Sequence, residues 1–167
     1  METAYIALGA NLPSPAGTPR QTFDAAILRL AGLGRVLARS SYYVTEPEGY
    51  ADQPAFLNAA VALAPDPGQF ANRIASPERL LERLQEIERS FGRDRSHGIP
   101  NGPRTLDLDL LLYGRRVVST QALQLPHPRM AQRRFVLVPL VEIAPQAIHP
   151  QEDRTVSQLL QDLHPFR

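Results

Sequence analysis

The run Gly102-Pro103-Arg104-Thr105-Leu106-Asp107-Leu108-Asp109-Leu110 changes character part-way along. Glycine and proline open it as a loop, and from Thr105 leucines alternate with polar groups before an apolar stretch reaches Tyr113. A period of two marks a strand with one face buried. It sends Leu106, Leu108 and Leu110 toward a core and places Asp107 and Asp109 together on the opposite face. Gly114 supplies the turn that ends the strand.

Upstream lies a helix with a clear start. Ser76-Pro77-Glu78 offers a capping serine, a proline in the first turn and an early acid. Leu80, Leu81, Leu84, Ile87, Glu88 and Phe91 follow at helical spacing, and Gly92 stops it. Residues 93–104 then read as a polar loop containing Gly98, Pro100, Gly102 and Pro103. Toward the N-terminus, residues 4–9 read as a strand and 11–18 as a loop. Residues 19–33 carry Phe23, Ile27, Leu30 and Leu33 at helical spacing. Residues 36–45 read as one strand, 56–63 as its antiparallel partner, and 64–75 as an irregular connection. Downstream, 136–143 and 155–163 read as short helices. The order β-α-β-β-α-β predicts an α+β fold, a ferredoxin-like core with helices on one face of an antiparallel sheet and added C-terminal helices. Such a fold hosts many functions, so function must be argued from side chains.

Composition narrows the choices. A length of 167 residues suits a single domain, 1–167, and 43% hydrophobic residues can form its core. The net charge of +1 argues against a nucleic-acid or membrane-surface partner. No apolar run approaches the ~20 residues of a membrane span, and no signal-peptide pattern precedes the first strand. Absence of cysteine excludes disulfides, thiolate zinc sites and cysteine nucleophiles. A cytoplasmic monomer is expected. All 18 basic residues are arginine. Phosphate chemistry therefore has no lysine to draw on and must rest on guanidinium forks, metal ions and backbone amides.

The acid pair suits such chemistry. Carboxylates roughly 7 Å apart along one strand can converge on hard cations, and magnesium takes one or two carboxylates together with substrate phosphates. Glycosyltransferases and nucleotidyltransferases also use acid pairs, and an exposed strand can carry acids merely for solvation. Arg93, Arg95 and Arg104 lie just upstream, where planar forks could grip phosphate oxygens. His127 sits between Pro126 and Pro128 with Arg129, Arg133 and Arg134 nearby, which suits an anion. Phe56 and Asn58 fall on one face of a strand, and Asn58 offers both a donor and an acceptor to an amide-containing heterocycle.

Together these segments resemble one family. Ala4 to Leu12, Asp52-Gln53-Pro54, Leu57-Asn58-Ala59-Ala60-Val61, Gly92-Arg93-Asp94-Arg95, Gly102 to Leu110, Leu125-Pro126-His127 and Phe135 to Pro145 are similar to the 6-hydroxymethyl-7,8-dihydropterin pyrophosphokinases of folate biosynthesis, in the family's order. The resemblance implies a ferredoxin-like core and pyrophosphoryl transfer from ATP to the pterin alcohol, with attack at the β-phosphorus and release of AMP. It implies two magnesium ions on Asp107 and Asp109, and phosphates gripped by Arg93, Arg95 and Arg104. Gln85, Glu88, Leu110, His127 and Arg133 would help seat the nucleotide. The pterin would stack between Phe56 and Phe135, its edge read by Asn58 and the Thr45-Glu46-Pro47 segment.

Three positions depart from the family pattern. Pro100-Asn101 stands where Arg-Trp is common, Phe56 where tyrosine is frequent, and Pro128 where tyrosine often follows the histidine. Two rival readings remain open on sequence: a nucleotidyltransferase, which would release pyrophosphate, and a non-catalytic ferredoxin-like module binding a small ligand or RNA. The 7% aromatic content and near-neutral charge speak against RNA.

Overall fold

The structure is a computed structural model that describes residues 2–94 and 102–163. Its sheet is built from β1 (Ala4–Ala10), β2 (Gly34–Arg39), β3 (Tyr43–Thr45), β4 (Phe56–Pro65) and β5 (Asp107–Tyr113). The helices are α1 (Pro19–Ala31), α2 (Pro77–Ser90), α3 (Arg134–Ile143) and α4 (Val156–Asp162). Two small hairpins, β6 (Val118–Ser119) with β7 (Gln124–Leu125) and β8 (Ile148–His149) with β9 (Arg154–Thr155), and short 3-10 turns at Pro67–Gln69, Ala71–Arg73 and Met130–Gln132 are also described. The main sheet has the order β2-β4-β1-β5, with β3 also on β4 and every pairing antiparallel.

Local chemistry explains the helix starts. Ser76 accepts a bond from the Arg79 amide, with Pro77 in the first turn of α2. Thr18 and Thr155 each form a reciprocal capping box, with Gln21 and Gln158 respectively. Each cap stabilises its helix by about 1 kcal/mol.

The predicted single strand over residues 36–45 is interrupted. Arg39 pairs with Val61 and Tyr43 with Asn58, so residues 40–42 face only residues 59–60. The buried Ser40 explains the break: its hydroxyl accepts the Ala60 amide at 2.8 Å and donates to the Ser41 carbonyl. A serine side chain here replaces a backbone acceptor in the ladder, and the edge bends into β2 and β3.

One sheet face carries Ile6, Leu8, Val61, Leu63, Leu108 and Leu110, packed on Phe23 and Leu30 of α1 and Leu80 and Leu84 of α2. The two helices of the expected core lie on this face, and the added C-terminal helices lie on the other. Ala60, Leu111 and Leu112 pack on Leu137 and Leu140 of α3 and Val156 and Leu159 of α4, on the second face. A register shift in β5 contributes, because Ile6 pairs with Leu110 while Tyr5 pairs with Leu112. The extra residue, Leu111, disturbs strict alternation, so two adjacent leucines join the second core. α3 and α4 cover part of that face, and the rest remains as a cleft.

Candidate active site

Register builds the floor of the cleft. Gly9 pairs with Asn58 on one side and Asp107 on the other, and Ala7 pairs with Ala60 and Asp109. Small residues in the middle strand thus separate a polar amide from two carboxylates without filling the space between. A Cβ added at Gly9 would lie 3.8 Å from Asn58 Oδ1, in van der Waals contact. A glycine in a strand interior often marks close approach of a ligand. The cleft leaves about 690 Å³ of space, part of it open solvent.

Asp107 is 7% exposed and holds the arginines together. Arg93 Nε donates to its Oδ1 at 2.9 Å, and Arg104 Nη1 donates to its Oδ2. These side chains are well shielded from water, which strengthens their mutual attraction. Arg104 Nε also donates to the Gly102 carbonyl at 3.0 Å, and its guanidinium lies 5.1 Å from the centre of the Phe56 ring.

The start of β5 is held from behind by Glu88. Its carboxylate is 1% exposed and accepts the Leu108 amide at 2.7 Å. The Glu88 carbonyl accepts the Arg93 amide at 3.1 Å. One residue at the end of α2 therefore places both the Asp107 strand and the arginine that binds Asp107.

At the other side, Asn58 Nδ2 donates to Thr45 Oγ1 at 2.6 Å. Phe56 and Phe135 both line the cleft, and the Arg133 guanidinium lies 5.5 Å from the Phe135 ring centre. Burial, and then the charge of Arg129, lower the Arg133 pKa, while Asp109 and Glu48 pull it upward. Aromatic walls, an amide on the floor and a charged end describe a cavity for a flat polar ring beside an anion.

The family described as 7,8-dihydro-6-hydroxymethylpterin-pyrophosphokinase (HPPK) matches residues 5–145. The chain belongs to this family. It is 39% identical over 165 residues to the 2-amino-4-hydroxy-6-hydroxymethyldihydropteridine pyrophosphokinase of Haemophilus influenzae, covering 98% of this chain and 91% of that protein. It is 43% identical over 143 residues to the Bacillus subtilis protein of the same name, covering 86% and 78%. Among solved structures, wild-type Plasmodium falciparum HPPK-DHPS is similar in fold, with a TM-score of 0.66 at 14% identity. That likeness covers 96% of this chain but 44% of the longer one.

Of the residues expected from sequence in this HPPK chain, Thr45, Glu46, Phe56, Asn58, Arg104, Asp107, Asp109, Arg133 and Phe135 line one cleft. Arg93 reaches it through Asp107. Gln85, Glu88, Leu110, His127 and Pro47 are not part of that lining. The Leu110 side chain is 3% exposed and belongs to the core against α1 and α2. Arg95 and most of the 93–104 loop lie outside the described residues. Sequence reasoning missed Gly9 and Glu48 as lining residues; a glycine inside a strand pattern was the available signal for the first.

His127 follows a cis Leu125–Pro126 peptide, and its amide donates to the Leu111 carbonyl at 2.9 Å. Its Nδ1 accepts the Arg129 amide at 3.2 Å. Burial first, then Arg133 and Arg129, lower its pKa to about 4. The imidazole is therefore neutral at pH 7, with its proton on Nε2. Since the folded pKa is depressed, acid costs stability: below pH 6.5 the unfolded chain takes up a proton that the folded chain refuses until about pH 4. Urea midpoints measured across this window should fall less steeply in His127→Gln than in wild type. His149, also lowered by burial, contributes to the slope that remains, and at the acid end so do Glu2 and Glu142, lowered chiefly by hydrogen bonds from Arg116 and Tyr43.

Proposed function

We propose that this cleft holds ATP and 6-hydroxymethyl-7,8-dihydropterin side by side and transfers pyrophosphate to the pterin alcohol with release of AMP. Pyrophosphokinase activity in folate biosynthesis is the activity of its family. One observation carries the reading for this chain: Asp107, held by two arginines, and Asp109 share a continuous floor with Asn58 and Phe56.

Two magnesium ions belong to the proposal, held by Asp107 and Asp109. The donor chemistry fits, because both are hard carboxylates on one strand face, and magnesium completes its shell with water and phosphate oxygens. When bound, the metal neutralises phosphate charge and makes the alcohol more acidic. Arg93 and Arg104 would exchange the Asp107 carboxylate for phosphate oxygens, so that their charge is already on site. Arg95 would add a third guanidinium, and Gln85, His127, Arg133 and the main chain of Leu110 would seat the nucleotide. His127 would act as a neutral Nε2–H donor. Glu88 would act through the strand it holds. The hydroxyl would attack the β-phosphorus of ATP, with AMP leaving. Positioning and electrostatics carry most of such a step.

The pterin would stack between Phe56 and Phe135, with Asn58, Thr45 and the Glu46-Pro47 segment at its edge. Phe135→Ala should weaken pterin binding by about 1–3 kcal/mol, roughly 5- to 150-fold. Asn58→Ala should act in the same direction. Calorimetry with each ligand separately checks this: equal losses for pterin and a non-hydrolysable ATP analogue would count against the assignment.

The strand order, with α1 and α2 on one face, supports a ferredoxin-like core. No helix among the described residues is long and apolar enough to cross a membrane. A cytoplasmic, monomeric, single-domain enzyme (1–167) acting on small molecules and not on nucleic acid completes the proposal. Incubation with ATP, magnesium and the hydroxymethyl dihydropterin should yield AMP. Release of pyrophosphate instead would favour a nucleotidyltransferase.

A further inference from the structure

Asn11 stands just beyond the end of β1, 4% exposed, and its side chain spans two loops. Its Nδ2 donates to Gln53 Oε1 and to the Pro54 carbonyl, both at 2.9 Å. Its Oδ1 accepts the Arg104 amide at 2.9 Å. Its own amide and that of Leu12 donate to the Arg104 carbonyl at 3.0 and 3.1 Å. The amide orientation is fixed by chemistry, because the Pro54 carbonyl can only accept and the Arg104 N–H can only donate.

The two clipped segments lead to different halves of the cleft. Residues 53–54 run directly into Phe56 and Asn58, and Arg104 precedes Asp107 and carries a guanidinium bound to it. We infer that Asn11 is a positioning residue that locks the pterin-side loop to the phosphate-side loop, setting the distance between the two bound substrates. This rests on the assignment of those halves under the proposed function. A transfer between two ligands is sensitive to misplacement of about 1 Å, which can cost ~100-fold in rate. A clip across the gap between them is therefore a control on the chemical step and not only on folding.

Two variants separate the halves. Asn11→Asp keeps an acceptor for the Arg104 amide but turns the bond to the Pro54 carbonyl into a repulsion. It should weaken pterin binding ~10-fold and leave the affinity for a non-hydrolysable ATP analogue within about twofold. Asn11→Ala loses both ends and should in addition slow single-turnover transfer at least ~10-fold at saturating substrates. Gln53→Ala removes one of the two bonds at the pterin-side end and leaves the bond to the Pro54 carbonyl. It should give a smaller pterin-selective loss that is not additive with Asn11→Asp. Hydrogen exchange in the ligand-free protein supplies an activity-independent readout: the Arg104 amide should stay protected in Asn11→Asp and lose protection in Asn11→Ala. Unchanged pterin affinity in Asn11→Asp, equal weakening of both ligands, or Arg104 protection that survives in Asn11→Ala would each overturn the inference. A wild-type chain that fails to release AMP would overturn the proposed function instead, and the exchange result would still decide whether Asn11 clips the two loops.

Discussion

Asp107→Ala and Asp109→Ala should each lower turnover by at least ~10³-fold while the chain stays folded. The two carboxylates occupy alternate positions of β5 on the open part of the second sheet face. Each would contribute oxygens to cations that neutralise the transferring phosphates, a contribution no neighbouring arginine can make. The variants should differ in stability. Removing the Asp107 carboxylate leaves Arg93 and Arg104 without the acceptor they share, and their side chains are only 14% and 19% exposed. Breaking such shielded ion pairs is expected to cost about 1–3 kcal/mol of stability, visible as a lower urea midpoint. Asp107→Asn keeps the shape of the side chain but loses the charge, so it should lose turnover with a smaller loss of stability. Circular dichroism and a coupled AMP assay test both halves. Turnover near wild type in either alanine variant would remove the carboxylate pair from the chemistry.

What could be read from the sequence follows the range of the forces involved. The start of α2 was legible because Ser76 caps the Arg79 amide and Pro77 fits the first turn, all within a few residues. Alternation from Leu106 to Leu110 was legible because a period of two is local. The acid pair and its arginines followed from the same strand and the adjoining loop. The break at Ser40 was not legible, since it depends on an amide twenty residues away in β4. The bulge at Leu111 depends on pairing with β1, and nothing in a run of leucines signals which one is extra. The clip by Asn11 joins residues separated by 42, 43 and 93 positions. The resemblance to a family supplied the roles expected of Phe135 and Arg133, which lie far along the chain from Phe56 and Arg104. Glu88 illustrates a different limit. The family resemblance implied a role for it in seating the nucleotide, yet only the structure reveals a buried carboxylate holding the Leu108 amide.

Arg104 is where the largest effect on the chemical step, apart from the acids, is expected. Its main chain is fixed by Asn11 and Leu12, so truncating the side chain should leave the backbone in place. Its guanidinium contacts Asp107 and covers Phe56, at the junction of the two halves of the cleft. A fork released from Asp107 onto phosphate would gain strength as water leaves and charge builds on the transferring group. Contacts that tighten only in the transition state raise kcat and do little for substrate binding. Arg104→Ala should therefore slow single-turnover transfer by ~10²- to 10³-fold, while the affinity for a non-hydrolysable ATP analogue falls less than about tenfold. Arg104→Lys should recover only part of the rate, because it restores a charge but not the planar pair of donors. The same expectation extends to Arg95→Ala and Arg95→Lys on the neighbouring loop. Rapid-quench measurement at saturating ATP, magnesium and pterin resolves the step directly. A chemical step unchanged in Arg104→Ala would mean that this arginine serves only to neutralise Asp107 in the folded chain.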